Sequence, residues 1–241
     1  MARIARVVAP GVPHHIVQRG NRRQDVFLKE GDQRAYLNIL KEQAEKNHLS
    51  IWAYCLMTNH IHIIAVPETE TGLTRAIGET HRRYTRMINF REGWRGYLWQ
   101  GRFSSCPLDE QHLLAAARYI EQNPLRANQV KKLEEWEWSS ARHHLGLTTD
   151  PLIASNDLLP KLIEDWQTYL TITATEAERF KLKHHEHTGR PLGDTSFVEQ
   201  LEGQLNRTLK PQKRGPKGPW KHKKPKGEKI SIVSPELLET Q

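Results

Sequence analysis

IWAYCLMTNHIHIIAVP, residues 51–67, is the stretch whose reading decides the fold. Ile51 to Met57 is an apolar run rich in strand formers, Thr58-Asn59 supplies turn chemistry, and His60 to Val66 resumes period-two alternation until Pro67 ends it. The pattern predicts a β-hairpin whose second strand begins at the histidines. Residues two apart on a strand point to one face about 6.5 Å apart, so His60 and His62 are placed to offer both imidazoles to one divalent ion. Neutral imidazole suits zinc, manganese and other borderline metals, but a third ligand has to come from elsewhere. Taken alone, ordinary packing or hydrogen bonding is the plainer account of two strand histidines.

Working outward, Pro13 to Arg19 reads as a first strand with Gly20-Asn21 as its turn. Asp32 to Asn47 reads as a helix with Tyr36, Leu37, Leu40 and Ala44 on one side. Beyond the hairpin, Leu73, Ile77, Tyr84 and Ile88 follow helical spacing up to Phe90, and Tyr97 to Phe103 reads as a further strand. Asp109 caps a helix from Glu110 to Asn123, where Pro124 is expected to stop it, because the residue before a proline is pushed out of the helical region. The order βαββαβα predicts an α+β fold: a ferredoxin-like antiparallel sheet with helices packed on one face. Trp136 to Ser140 closes this unit. Pro151 to His187 looks helical, with Thr175-Glu176-Ala177-Glu178 as a capping box, and Ser196 opens a short helix bearing Phe197, Leu201 and Leu205. The expected organisation is a catalytic domain over 1–148, a helical C-terminal extension over 149–206 and a basic tail over 207–241, whose Lys/Pro/Gly mixture predicts disorder when free.

Composition narrows the function classes. The 241 residues, 37% of them apolar, suffice for one good core and a small appendage. No apolar run approaches the roughly 18 residues of a membrane span, and no secretion signal or anchor is visible. Two cysteines, Cys55 and Cys106, are too few for a disulfide framework or a cysteine zinc site and fit a reduced, cytoplasmic setting, where association with the nucleoid is expected. The net charge of +8 is concentrated: Asn206 to Gly227 holds nine Lys or Arg and no acid. Met1 to Gln24 carries Arg3, Arg6, Arg19, Arg22 and Arg23 without an acid, and Arg75 to Arg102 is Arg-rich. Basic patches of this kind point to a polyanion partner.

Among the six tyrosines, Tyr119 is the best candidate nucleophile. Tyr119 and Asn123 stand at i, i+4 on the helix after Asp109, so phenol and amide share one face. The apolar stripe is carried by Leu113, Ala117 and Ile120, which leaves Tyr119 on its flank, whereas Tyr36 and Tyr84 lie within the stripes of their own helices. A core-edge tyrosine followed by a helix-ending asparagine is the bland alternative.

Four ordered motifs carry a resemblance. They are Val12-Pro13-His14-His15-Ile16-Val17-Gln18-Arg19-Gly20-Asn21, Met57-Thr58-Asn59-His60-Ile61-His62-Ile63-Ile64, Tyr97-Leu98-Trp99-Gln100-Gly101-Arg102-Phe103, and Arg118-Tyr119-Ile120-Glu121-Gln122-Asn123-Pro124. In this order and spacing the chain resembles the IS200-like single-tyrosine HUH transposases over roughly its first 145 residues. Thr188-Gly189-Arg190-Pro191-Leu192-Gly193 resembles the REP-associated branch. The resemblance implies that His60 and His62 bind the metal and that Tyr119 attacks; Asn123 stands where many relatives have a glutamine as third ligand. It implies magnesium or manganese as cofactor, a 5′-phosphotyrosine intermediate, and single-stranded DNA hairpins, REP-like palindromes, as substrate. A monomer is expected for this branch, with a dimer as the alternative because some relatives exchange the tyrosine helix.

For DNA contacts, single strands are held by basic grooves with aromatic platforms, and Trp99, Gln100 and Arg102 join Arg19 and Asn21 as candidates, with Lys213 and Arg214 in the tail. Two other classes compete with the strand transferase. One is a DNA-hairpin-binding regulator that keeps the fold without turnover; the other is a metallohydrolase, for which no recognised zinc spacing joins His14, His15, His81 or His112 to the pair.

Overall fold

The computed structural model describes residues 4–211; Lys213, Arg214 and the rest of the basic tail from residue 212 on lie outside the described residues. The first tail residues are packed, with Leu209 buried beside Val7, Ala9 and Leu201, so ordered structure runs past the expected boundary at 206. Four strands, β1 (His14–Arg19), β2 (Leu49–Met57), β3 (His60–Pro67) and β4 (Ser104–Pro107), form one antiparallel sheet in the order β2-β3-β1-β4. The hairpin turns at Thr58-Asn59, with Met57 opposite His60. Helix α1 (Asp32–Lys46) joins β1 to β2, and α2 (Gly72–Glu92) joins β3 to β4. Then come α3 (Glu110–Glu121) and the short α4 (Asn123–Arg126), α5 (Ala141–His144), α6 (Leu159–Leu162) and α7 (Trp166–Thr171). Two longer helices, α8 (Glu176–Thr188) and α9 (Thr195–Leu205), follow. None of the described helices is long and apolar enough to cross a membrane.

Strand parity explains the layers. Ile61, Ile63 and Ala65 pack with Tyr36, Leu40, Leu73, Ile77 and Tyr84 of α1 and α2. Ile64 and Val66 belong to a second core with Leu113, Ala117 and Ile120 of α3, Trp166 and Leu170 of α7 and Leu182 of α8. The α+β antiparallel sheet is as expected, but helices cover both of its faces; the single helical face describes α1 and α2 only. The physical reason lies in β3 itself, where Ile61 to Val66 offers no polar side chain to water except His62, so neither face is left for solvent. A β-bulge between Ile51 and Ala53 lets Trp52 and Ala53 both join the second core.

Two boundaries differ from the sequence reading. Tyr97 to Phe103 is no strand: among its residues only Trp99 makes a bridge, to Gly20, and the fourth strand begins at Ser104. Gly96 (φ 93°) and Gly101 (φ 65°) stand in left-handed conformations that break an extended run at both ends. Pro124 likewise does not end the helical path. The Gln122 N–H still reaches the Arg118 carbonyl at 3.0 Å, and Pro124 sits in the first turn of α4, where its missing N–H leaves no bond unmade. Trp136 to Ser140 runs along the outer edge of β2, with Leu56 N donating to Trp138 O at 2.8 Å and Ser140 N to Tyr54 O at 3.0 Å.

Gly20 holds the end of β1 against the hairpin turn, its N–H donating to Asn59 O at 2.8 Å. A Cβ there would stand 2.2 Å from the Gln24 carbonyl oxygen. Gly20→Ala is therefore expected to lower stability by about 2 kcal/mol or more, as a midpoint shift in urea denaturation; an unchanged midpoint would refute the close approach.

Candidate active site

The sheet's second face carries the site. β3 delivers His60 and His62, and α3, packed over that face, delivers Tyr119 to the same cleft of about 590 Å³. The antiparallel register sets Arg19 opposite His60 and Val17 opposite His62. The segment after α2 is tied along the end of β1, with Gln100 N donating to Arg19 O and Asn21 N to Leu98 O, each at 2.8 Å, and it adds Gln100 and Arg102 to the wall. From α8 come Lys183, Glu186 and His187, residues at i, i+3 and i+4 on one helical face.

His60 and His62 stand side by side in the cleft. His60 and His62 rings lie 5.1 Å apart, and His62 stands edge-on to Tyr119 at 5.8 Å. His60 Nδ1 is held by Asn59 Oδ1 at 2.7 Å, and His62 Nδ1 pairs with His15 Nε2 at 3.0 Å. In each ring one nitrogen is engaged and Nε2 is left over, the arrangement expected of imidazoles that bind a metal through one nitrogen and are oriented through the other. Burial lowers the His60 pKa to about 4, helped by Arg19 and Arg126, and holds His62 well below its ordinary value. Both rings are neutral at pH 7, the form that ligates. The donor set thus fits a divalent ion.

Tyr119 is almost fully buried, with the Arg126 guanidinium 3.9 Å from its ring centre. Burial raises the phenol's pKa and the Glu186 carboxylate adds to the rise, while the Arg126 charge and hydrogen bond oppose it. Arg126 also donates to Asn123 Oδ1. Asn123 therefore keeps its i, i+4 place beside Tyr119, yet its amide oxygen is engaged by a cation and it does not line the cleft; the third-ligand role implied for it finds no support here. Asn123 thereby holds Arg126 over the Tyr119 ring. Arg126→Ala is expected to slow covalent attack by Tyr119 about 10²-fold near neutral pH, with part of the rate recovered as pH rises toward the phenol's own ionisation. Single-turnover rates across pH test this, and a uniform loss at every pH would refute it.

Six of the sequence-derived residues meet in the cleft: Arg19, His60, His62, Gln100, Arg102 and Tyr119. Asn21 heads a short 3-10 turn, Asn21–Arg23, and does not line it. Trp99 is no stacking platform: it is 6% exposed and packs with Tyr36, His81 and Tyr84 in the first core, because the bridge to Gly20 turns it inward. Tyr97, 86% exposed, and Trp94 are the aromatics left accessible in that region. Sequence reasoning missed Arg126, although its position seven residues after Tyr119 puts it on the same face once the helical path continues through Pro124. It also missed His15 and the α8 residues, and for α8 no local signal existed.

Residues 10–123 match the family described as transposase, IS200 like. Among solved structures, the fold is similar to a REP-associated tyrosine transposase bound to a REP hairpin, with a TM-score of 0.53, 18% identity, and coverage of 66% of this chain and 93% of that one. A transposase-assigned protein of Deinococcus radiodurans R1 shares 21% identity over 50% of this chain and 96% of its own, at a TM-score of 0.35. No curated protein matches.

Proposed function

The chain carries an IS200-like transposase domain over residues 10–123, and from that premise we propose that it nicks and rejoins single-stranded DNA at the foot of REP-like hairpins. The observation that carries the reading is the convergence of Tyr119 and the His60/His62 pair in one cleft walled by Arg19, Arg102 and Lys183.

Those cations and Gln100 would seat the phosphodiester, and the accessible ring of Tyr97 offers a stacking surface for an unpaired base. His60 and His62 would hold magnesium or manganese, which supplies charge stabilisation at the phosphate oxygens when bound. Tyr119 Oη forms a bond to phosphorus as the bond from phosphorus to the 3′-oxygen breaks. The phenol gives up its proton, the departing 3′-oxygen gains one, and the products are a 5′-phosphotyrosine and a free 3′-OH. One phosphodiester replaces another, so a 3′-OH reverses the step without ATP. Tyr119 and both histidines line one cleft within the chain, which supports a monomer as the working unit.

The test is a palindromic single-stranded hairpin incubated with the full chain and Mg²⁺ or Mn²⁺, read on a denaturing gel. A covalent protein–DNA adduct that EDTA suppresses is expected. Tight hairpin binding with no adduct under any metal would overturn the transferase reading in favour of a DNA-binding regulator.

A further inference from the structure

His15 lies on β1 two residues before Val17, the partner of His62, and so shares the sheet face of the site. Its Nε2 is 3.0 Å from His62 Nδ1, with the two rings within 18° of parallel. On its other side, His15 Nδ1 stands 3.7 Å from Glu186 Oε1 of α8, and both of these buried atoms lack a hydrogen-bond partner among the described residues. Burial leaves His15 neutral, its pKa lowered to about 3, and raises that of Glu186 to about 7.

Donor atoms of His15, His62 and Glu186 all lie within 4.8 Å of one another, close enough for one metal ion to bridge. The directions argue against a bridge. His15 turns a different nitrogen to each neighbour, and the two nitrogens of one imidazole point to opposite sides of the ring. Near-coplanar rings joined nitrogen to nitrogen are the geometry of a hydrogen bond. The separation of 3.7 Å places the two groups in facing range, and a hydrogen bond between them requires the Glu186 carboxylate to approach His15 Nδ1.

We propose that Glu186 and His15 are positioning residues that set the tautomer of His62: Glu186 accepts from His15 Nδ1–H, His15 Nε2 accepts from His62 Nδ1–H, and His62 keeps its Nε2 lone pair for the divalent ion. The inference rests on the reading of His60 and His62 as the metal pair. It gives α8, which lies beyond the residues matched by the family, a part in building the metal centre. Outer partners of this kind are worth about 10–100-fold in metal affinity.

The test uses the full chain, wild type and two variants, Glu186→Ala and Glu186→Gln. In metal-free protein, long-range ¹H–¹⁵N correlation of the histidine rings is expected to show His62 as the Nδ1–H tautomer and to show mixed tautomers in Glu186→Ala. Calorimetry with Mn²⁺ alone is expected to show Glu186→Ala binding about 10–100-fold more weakly, while Glu186→Gln, which keeps an acceptor for His15, stays within about threefold of wild type. A wild-type His62 in the Nε2–H form overturns the relay, as does a Glu186→Ala affinity equal to wild type. If Glu186→Gln falls as far as Glu186→Ala, the carboxylate is itself a ligand and the relay is overturned. A wild type that takes up no Mn²⁺ sinks the metal reading instead, and the tautomer signal, read without metal, still decides the relay.

Discussion

Tyr119→Phe is expected to abolish the covalent DNA adduct and to slow strand cleavage by about 10⁴-fold or more, as loss of an attacking nucleophile does. The substitution removes only Oη. The ring that stands edge-on to His62 and lies under Arg126 remains, so the cleft keeps its shape and hairpin affinity is expected to stay within about twofold. Single-turnover cleavage on a denaturing gel, beside a hairpin-binding titration, separates the two quantities. An adduct that persists in the variant would mean another nucleophile. Tyr36 and Tyr84 are poor substitutes, since both are completely buried and burial pushes their phenols far above the ordinary range. The exposed Tyr97 would be the next to test.

The second large effect is on stability, at a cluster that holds α3 to the C-terminal part of the chain. His144 is enclosed between two carboxylates, Nδ1 donating to Glu121 Oε1 at 2.5 Å and Nε2 to Asp157 Oδ2 at 3.0 Å. Trp166 Nε1 and Ser140 Oγ also donate to Glu121, and Leu159 N donates to Asp157. The two carboxylates, with hydrogen-bond help, outweigh the cost of burying the charged ring, and the pKa of His144 rises from 6.5 to about 10. His144→Leu leaves both acids without their cation, and the expected loss is about 3–5 kcal/mol in urea denaturation near pH 6. Because the folded-state pKa is raised, the ion-pair contribution is complete below about 6.5 and disappears as pH climbs through about 10. The gap between wild type and variant should accordingly narrow between those pH values. A gap that stays constant across the range would show that His144 is neutral in the fold.

Much of the architecture was legible because it is local. Parity in β3, the turn at Thr58-Asn59, the Asp109 cap and the Thr175–Glu178 capping box depend on neighbours a few residues away, and each stands where the sequence puts it. The misreadings at Tyr97–Phe103 and Pro124 come from backbone conformations at single glycines and a proline, and that at Trp99 from a tertiary contact. Gly96 and Gly101 turn a strand-like run into a loop pinned to β1, and Pro124 falls in a helical first turn that tolerates it. Trp99, equally suited to stacking a base or filling a core, is settled by a bridge eighty residues distant in sequence.

By itself the sequence determined the antiparallel hairpin and the shared strand face of His60 and His62, since strand period and turn chemistry are properties of short segments, whereas Tyr119, expected on the flank of its helix, is buried with that helix's apolar stripe. Only the tertiary structure decided that a second helical layer covers the sheet, that Arg126 donates to Asn123, and that His15 and Glu186 stand behind His62. The second layer and the place of Glu186 depend on where α8 comes to rest, with Leu182 and its apolar neighbours buried against a sheet face contributed by strands far earlier in the chain.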